Sequence, residues 1–546
     1  MILLGIVFAL TGKAIAVQYA FRVNFTDKNN TPYSLSSPLS YLSPRAIDRR
    51  TRYSIAIDST DLPVNQAYIN DVLSLTGGTM HEVSRWFNFC VILIADSATI
   101  HVLDGQPHIQ STQLVAYYAG MLHKPAASAV PAAQKTATGG STYYGETWNQ
   151  TSIVKGNHLH DNGFTGTGKL IAVIDAGYTA TDTHPGFVDL VATRLIDKHN
   201  FTLASDFVYS YDSHGTKVLS TMAGNVPGTY VGSAPTASYA LYVTEDGTSE
   251  QPIELINMVS AAERADSIGA DIITTSLGYN RFDNPAYDFT FAADLDGKTT
   301  IAAQGANMAT RKGILFVATA GNEGGNSWNM LLTPGDADSA LTVGSVEVSG
   351  VPAGNSGYGP NAAGRVKPDV CAMGQPANIF NTTGGYGSEG GTSFSTPQVA
   401  GWAACLLQAN PAATPYQLRQ AITRCASIYN TPDNHLGYGI PDFQCSSQVL
   451  LYVINTPPPF TTGNWVIAAP NPCSSELLVS IDMDTAQFVD LSLVDVTGKV
   501  IITRHQYFYK GFNAPLSWSV QDLPSGIYIL KAVSATGRQV IKIEKL

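Results

Sequence analysis

A serine that could act as a nucleophile lies in a glycine-rich stretch of the chain. Ser393 follows the glycine pair 390–391 and precedes an apolar run, 399–407, that is typical of a helix. The N-terminus of a helix provides free backbone N–H groups and a positive field, which suit a nucleophile whose product is an oxyanion. Pro397 fits the first helical turn, where its missing N–H is no loss. Alternatively, Ser393 simply caps a buried helix.

A serine hydroxyl is a weak nucleophile and needs a base, which in turn needs an orienting acid. Both residue types occur upstream in suitable settings. Asp175 ends a run typical of a buried parallel strand, and His214 begins a second helix-like segment. A third strand, 313–320, leads to Asn322, whose side chain can offer an N–H to a developing negative charge.

Alternating strands and helices follow Asp175 and favour a parallel sheet that is covered on both faces. Such sheets place chemistry outside the carboxyl ends of their strands. Asp175 and Asn322 follow strands, whereas His214 and Ser393 begin helices. We therefore expect all four residues at one edge of an α/β sheet.

The order Asp, His, Asn, Ser, with the motifs IAVIDAG, SHGTKV, VATAGNEGG and GGTSFSTPQVAG, resembles the subtilisin-like serine peptidases, or subtilases. The resemblance covers about residues 150–445 and is highly specific, since four motifs occur in the right order. It implies a secreted serine endopeptidase that works through an acyl-enzyme and needs no cofactor for its chemistry. By resemblance, Ser393 is the nucleophile, His214 the general base and acid, and Asp175 its orienter. Asn322 and the Ser393 N–H would form the oxyanion hole.

The same resemblance implies a substrate pocket. Ser276, Leu277 and Gly278 would line the pocket for the residue before the scissile bond and pair with substrate as an extended strand. Thr319 and Ala320 would form the opposite wall. Neither segment carries a charge, so we predict an apolar or broad preference. The alternative for the first segment is an ordinary edge strand.

Several residues depart from the family pattern. Ala176 lies where a hydroxyl residue is common, which predicts that a hydrogen bond to Asp175 is missing. Gly186 lies where an acid frequently contributes to calcium binding, so a structural calcium site is in doubt. Ser395 is a second candidate serine, but only Ser393 follows the Gly-Thr step. These departures keep an alternative open: an inactive subtilase scaffold that serves as a surface binding protein.

Composition narrows the remaining classes. The length of 546 residues predicts several domains, and 44% hydrophobic with 13% charged residues argues against disorder. A net charge of −11 argues against a nucleic-acid partner. The six cysteines show no metal-binding spacing. A pair such as Cys425–Cys445 is one conceivable disulfide, which sequence alone does not establish.

The N-terminal part has three segments. Residues 1–16 resemble a secretory signal peptide, although a buried strand is an alternative. Residues 17–124 alternate strands and helices in the manner of a small α+β sandwich. Subtilases carry a propeptide of this build as an intramolecular inhibitor, and an independent accessory domain is the alternative. Residues 125–142 form a linker suited to processing, and the peptidase domain is predicted at 143–445.

The C-terminal part is different in character. Residues 446–468 are predicted to be a stiff linker, and 469–546 alternate in short strands typical of an all-β sandwich. The motifs PNP, VDVTGK, LPSGIY and KIEK resemble the sorting domain of type IX secretion cargo. They imply export through the type IX secretion machinery and attachment at the cell surface. A carbohydrate- or protein-binding β module is the alternative. No segment after the signal peptide is long enough to span a membrane.

Overall fold

A computed structural model describes residues 17–118, 142–209, 212–455, 465–483, 485, 487–508 and 511–546. The predicted signal peptide, 1–16, and nearly all of the predicted processing region, 125–142, lie outside the described residues.

The structure contains strands and helices in three successive groups. The strands are β1 (Gln18–Phe25), β2 (Thr79–Ser84), β3 (Phe89–Ile94), β4 (Ile109–Tyr118), β5 (Leu170–Asp175), β6 (Leu195–Asn200), β7 (Asn225–Val226), β8 (Tyr230–Val231), β9 (Ser238–Val243), β10 (Ile272–Thr275), β11 (Leu315–Thr319), β12 (Leu341–Glu347), β13 (Val370–Gln375), β14 (Ala377–Phe380), β15 (Tyr386–Glu389), β16 (Val466–Ala469), β17 (Glu476–Met483), β18 (Gln487–Asp495), β19 (Val500–Phe508), β20 (Gly511–Ser519), β21 (Gly526–Ser534) and β22 (Gly537–Lys545). The helices are α1 (Pro44–Arg52), α2 (Gln66–Thr76), α3 (Trp148–Ser152), α4 (Asn157–Asp161), α5 (His214–Ala223), α6 (Ile253–Ile268), α7 (Phe291–Asp294), α8 (Ile301–Arg311), α9 (Thr392–Ala409), α10 (Pro415–Arg424) and α11 (Phe443–Asn455).

The N-terminal region is a small α+β unit, as the sequence predicts. Its four-stranded antiparallel sheet has the order β2-β3-β1-β4. Val23 of β1, Val72 of α2 and Ile92 of β3 are fully buried in its core. Alternating apolar positions on the strands and an apolar stripe on α2 therefore form one small hydrophobic core.

The central sheet has seven parallel strands in the order β13-β12-β11-β10-β5-β9-β6. Strand β5 is apolar at every position up to Asp175 because both faces of the sheet are covered. Ile171 and Val173 pack in the core that contains α9. Ala172 and Ile174 pack in the opposite core with α6 and α8. The predicted helix-covered parallel sheet is confirmed, and β5, β10 and β11 are neighbours in it.

Helix α9 begins earlier than the sequence predicted. It starts at Thr392, so Pro397 is its sixth residue and lies inside the helix, and the first-turn prediction is wrong. A proline in that position cannot donate to the carbonyl of Ser393, four residues earlier. That carbonyl accepts a hydrogen bond of 2.9 Å from Ser276 Oγ instead. A side-chain donor from a neighbouring segment thus replaces the lost helical bond.

The C-terminal region is a β-sandwich, as predicted. One sheet has the order β16-β17-β20 and the other β19-β18-β21-β22, and both contribute to a single core. The sequence did not predict two of the strands, β16 and β20. Strand β20 contains Pro515, which weakens a strand pattern, and β16 has only four residues. Helix α11 extends into the predicted linker, so residues 446–455 are helical.

A disulfide joins Cys425, at the end of α10, to Cys445 in α11. The conceivable pairing is therefore present, and the other four cysteines are buried thiols. Across the described ranges, we find no helix with the length and hydrophobicity to cross a membrane.

Candidate active site

Asp175 and His214 form a buried pair at the carboxyl end of the central sheet. Asp175 ends β5 and is 0% exposed, and His214 is the first residue of α5. The Nδ1 of His214 donates to Asp175 Oδ1 at 2.7 Å, and the N–H of Ala176 donates to the same oxygen at 2.8 Å. The bond at Nδ1 fixes the orientation of the imidazole and leaves Nε2 to accept a proton.

The environment of His214 favours its protonated form. Burial lowers the pKa of the imidazole, but the charge and hydrogen bond of Asp175 outweigh burial, and the pKa is raised above 6.5. Asp212 adds to this rise, and its carboxylate also accepts the backbone N–H of His214 at 2.7 Å. The side chain of His214 is 30% exposed, so the base is accessible from solvent.

The second oxygen of Asp175 is an unusual feature of this pair. Asp175 Oδ2 is buried and has no hydrogen-bond partner among the described residues. The next residue is Ala176, which has no hydroxyl to offer. The structure therefore agrees with the expectation that a supporting hydrogen bond is missing.

Ser393 is the second residue of α9 and is 6% exposed. The ring of its neighbour Phe394 lies 6.0 Å from the imidazole of His214, centroid to centroid. Within the described residues, no hydrogen bond joins the Ser393 hydroxyl to His214. Catalytic hydrogen bonds of this kind are often long in free enzymes and tighten in the substrate complex. The fold thus brings the two segments together without closing the final bond.

Asn322 is held against the start of α9. Its Oδ1 accepts the backbone N–H of Thr392 at 2.9 Å, so its NH₂ group is left to donate elsewhere. The preceding Gly391 has φ +150°, and a Cβ at that position would lie 3.3 Å from Asn322 Oδ1. A glycine therefore permits this close approach. The arrangement leaves an amide donor beside the N-terminus of the helix that carries Ser393.

A cavity of about 460 Å³ opens beside these groups. His214 and Asn322 line it, as do four of the five predicted pocket residues, Ser276, Leu277, Gly278 and Thr319. Ala320 is fully buried and does not line it, and neither does Ser393. The cavity is also charged, because its lining includes Asp212, Lys217, Glu245, Glu250 and Glu323.

Family models match three parts of the chain. The model of the subtilase family matches residues 166–439, the segment that carries all four predicted site residues. The chain belongs to the subtilase family. The Bacteroidota propeptide domain of peptidase family S8 matches residues 20–130, and a secretion-system C-terminal sorting domain matches 468–545.

Individual subtilases agree with this assignment. Subtilisin NAT of Bacillus subtilis subsp. natto is 28% identical over 403 residues, which cover 73% of this chain and 90% of that protein. Subtilisin of Bacillus pumilus is 31% identical over 300 residues, 54% of this chain and 97% of that protein. The crystal structure of the epidermin leader peptide processing serine protease of Staphylococcus aureus supports the fold. It aligns with a TM-score of 0.53 at 15% identity and covers 81% of this chain and 99% of that one.

This subtilase is therefore a serine endopeptidase, as the sequence predicted. Its sorting domain indicates secretion by the type IX system and attachment at the cell surface. The predicted propeptide, sorting domain and subtilisin-like fold are all confirmed.

The doubt about a family calcium site has a structural basis at Gly186. A Cβ at this position would lie 2.3 Å from the ring of Phe380, so a side chain does not fit. The N–H of Gly186 donates to His184 Nδ1 at 3.0 Å, and the His184 ring stacks on Phe380 at 4.2 Å. The packing of His184 on Phe380 therefore leaves no room for an acidic side chain at position 186.

Sequence analysis missed an acidic group in the wall of the cavity. One carboxylate oxygen from each of Glu245, Glu250 and Glu254 lies within 4.8 Å of the other two. Burial, with the neighbouring acids, raises the pKa of Glu245 to about 8 and that of Glu250 to about 7. The only signal in the sequence is the density of acids in Thr244–Glu254, directly after a buried strand.

Proposed function

We propose that this subtilase hydrolyses peptide bonds through an acyl-enzyme on Ser393. The observation that carries the proposal is the 2.7 Å contact between His214 Nδ1 and the fully buried Asp175, beside a cavity that Asn322 also lines. A base that is oriented in this way takes the proton of the attacking hydroxyl at Nε2 and then delivers it to the leaving amine.

Asn322 and the backbone N–H of Ser393 are the proposed oxyanion donors. When the hydroxyl attacks the substrate carbonyl, negative charge develops on the carbonyl oxygen. The Asn322 amide, held by Thr392, and the N-terminus of α9 offer donors to that charge. Water then repeats the sequence on the acyl-enzyme, with His214 again acting as base and acid.

A second function, a surface binding protein on an inactive scaffold, is favoured by two observations. Asp175 Oδ2 lacks a partner among the described residues, and the bond between Ser393 and His214 is open. A binding protein would tolerate both features, whereas an enzyme must form the hydrogen bond between Ser393 and His214 when substrate binds.

The propeptide is proposed to act as an intramolecular inhibitor. Arg50 of α1 donates to Asp266 of α6 at 2.9 and 3.0 Å and to Asp61 at 2.8 Å. Arg85 also donates to Asp266, at 2.9 Å. These ionic contacts are buried and hold the propeptide sheet against the peptidase.

The C-terminal end of the propeptide sheet reaches the loop beside the cavity. The N–H of Tyr117 in β4 donates to Gln251 Oε1 at 2.7 Å, and Gln251 Nε2 donates back to the Tyr117 carbonyl at 3.2 Å. An extended strand thus ends close to the substrate channel, as an inhibitory segment must. We propose 17–124 as the propeptide, 143–445 as the peptidase and 469–546 as the sorting domain.

A serine-directed fluorophosphonate tests the proposed nucleophile. We expect the reagent to label the secreted enzyme at Ser393, mapped by peptide mass spectrometry, and Ser393→Ala to abolish both labelling and casein hydrolysis. Ser395→Ala is the matched control, because Ser395 Oγ donates to the Thr392 carbonyl within the helix. A folded secreted protein that neither labels nor hydrolyses casein would favour the inactive scaffold.

A further inference from the structure

The wall of the catalytic cavity carries an excess of acidic side chains. Four carboxylates line it, those of Asp212, Glu245, Glu250 and Glu323, against the single ammonium of Lys217. That ammonium is already paired with Glu389 at 2.6 Å. A cleft with an unbalanced charge focuses its field and attracts groups of the opposite sign.

Glu245 and Glu250 of the loop 244–252, and Glu254 in the first turn of α6, differ in how they are used. Glu254 is 2% exposed and accepts the backbone N–H groups of Asp246 and Gln251, each at 3.1 Å. Its role is to fix the loop. Glu245 accepts a hydrogen bond from the hydroxyl of Tyr279, which follows the predicted substrate strand directly. That bond holds one oxygen of Glu245 and leaves the other free.

Glu250 is the least satisfied member of the group. Its backbone N–H donates to Asp283 at 3.1 Å, so the main chain is anchored. Its carboxylate has no hydrogen-bond partner in the described part of the chain, although it lines the cavity. A half-buried carboxylate without a donor is unfavourable unless a donor arrives with a ligand.

The same loop already binds an extended peptide. The side-chain amide of Gln251 accepts a hydrogen bond from the backbone N–H of Tyr117, near the end of β4, and donates one to its carbonyl. Tyr118, the next residue, lies near Asp246 and Glu254, which together with burial raise its pKa. Gln251 of this loop therefore contacts peptide backbone, and Glu245 and Glu250 of the same loop line the cavity together with His214.

We propose that Glu245 and Glu250 make this subtilase select peptides with a lysine or arginine on the acyl side of the scissile bond. The inference rests on the proposed function, since it assumes that the cavity beside His214 holds substrate. An ammonium or guanidinium group placed between the two carboxylates would supply a donor to Glu250, which has none among the described residues, and a further donor to Glu245. The predicted apolar preference considered only the two segments of the pocket, 276–278 and 319–320, whereas this third segment adds the charge.

A comparison of matched peptides tests the proposal on the secreted enzyme. Internally quenched peptides carry lysine, or its uncharged analogue norleucine, in turn at each of the four residues before the scissile bond. We expect kcat/KM to favour lysine by about tenfold or more at one of these positions, the scale of a hydrogen bond to a charged group. A ratio near one at all four positions overturns the proposal.

Charge substitutions locate the effect. Glu250→Gln should lower the lysine-to-norleucine ratio by about tenfold, and Glu250→Lys should make a glutamate peptide the better substrate at that position. Glu347→Gln, a change at an exposed glutamate outside the lining, is the control and should keep the ratio. Because each ratio is taken within one preparation, a poorly folding variant does not distort it. An unchanged ratio in both Glu250→Gln and Glu245→Gln would also overturn the proposal.

The ratio should also depend on pH. Burial, Glu250 and Asp175 outweigh the hydrogen bond from Tyr279 and raise the pKa of Glu245 to about 8, and burial with Asp283 raises that of Glu250 to about 7. Glu254 is the third acid beside these two carboxylates. Since only the ionised acids attract a cation, the ratio should rise as the pH rises through 7 and 8. The titration of His214 cancels, because it affects both peptides equally.

Two further arms separate this idea from its rivals. If a chelator abolishes the ratio and calcium restores it, the acids bind a metal ion and the proposal is wrong. If peptides are uncut and the phosphonate fails to label Ser393, the proposed function itself fails. Labelled, active enzyme without a lysine preference removes only the specificity assignment.

Discussion

Two fully buried aspartates of this subtilase, Asp175 and Asp266, are surrounded very differently. Asp266 accepts hydrogen bonds on both oxygens from Arg49, Arg50 and Arg85 of the propeptide. Asp175 accepts two bonds on one oxygen, and its other oxygen has no partner among the described residues. Both oxygens of Asp266 are therefore hydrogen-bonded to cations at the interface, whereas the charge of Asp175 acts on a single imidazole.

Electrostatics reflect the same difference. Burial alone would raise the pKa of Asp266, but three guanidinium groups lower it from 3.8 to about 2. At the other site, the charge and hydrogen bond of Asp175 raise the pKa of His214. A buried carboxylate that is neutralised by several cations stabilises the fold, whereas one with a single titratable neighbour shifts the pKa of that neighbour.

The largest effect should come from neutralising the catalytic carboxylate. Asp175→Asn keeps the shape of the side chain but no longer holds His214 in the correct tautomer. We expect kcat to fall on the order of ten-thousand-fold, the scale of a lost triad aspartate. Steady-state kinetics with active-site titration measures this loss, and a loss below tenfold would contradict the role assigned to Asp175. Far-ultraviolet circular dichroism should show an unchanged fold.

Neutralising the saturated carboxylate should affect stability instead. Asp266→Asn leaves buried guanidinium groups uncompensated, and we expect the unprocessed protein to lose about 3–5 kcal/mol of unfolding free energy. Asp189→Asn is the control, because that exposed carboxylate forms its ion pair with Arg194 at the surface and should change stability by less than about 1 kcal/mol. Chemical denaturation followed by fluorescence measures both.

The pH dependence of that stability follows from the sign of the shift. The pKa of Asp266 is lower in the folded protein, so its contribution is complete above about pH 4 and is lost as the pH falls towards 2. The stability difference between wild type and Asp266→Asn should shrink over that interval. A constant difference would mean that the guanidinium groups do not act through this carboxylate.

Kinetics as a function of pH should reveal the tuning of His214. Its raised pKa places the acid limb of kcat/KM above that of an ordinary imidazole, since only the neutral ring accepts a proton. In Asp175→Asn, burial remains without the opposing charge, so the limb should move to lower pH. If the acid limb does not move in Asp175→Asn, Asp175 does not control the pKa of His214.

The smallest effect should come from satisfying Asp175. Ala176→Ser offers a hydroxyl next to the unpartnered Oδ2, and we expect kcat to rise by about two- to fivefold, the scale of one neutral hydrogen bond. Ala176→Val adds bulk without a donor and serves as the control. A similar gain in both variants would assign the effect to packing.

The sequence predicted the local settings of Asp175, His214 and Ser393 because each lies at the end of a strand or in the first turn of a helix. Asp175 ends an uninterrupted apolar strand, and Ser393 follows a glycine pair. The contribution of the loop 244–252 to the cavity was not predicted, because the loop has no repeating pattern. Arg49 and Arg50 belong to α1, but their burial depends on Asp266, more than 200 residues away in sequence, so sequence patterns alone did not indicate it.

Rapid-quench mass spectrometry of the enzyme with an ester substrate tests the central claim most directly. We predict a burst in which one acyl group accumulates on the peptide that contains Ser393. The rate of its formation should fall with Asp175→Asn and remain unchanged with Asp266→Asn. Turnover without that adduct, or an adduct that forms equally fast in Asp175→Asn, would contradict the account.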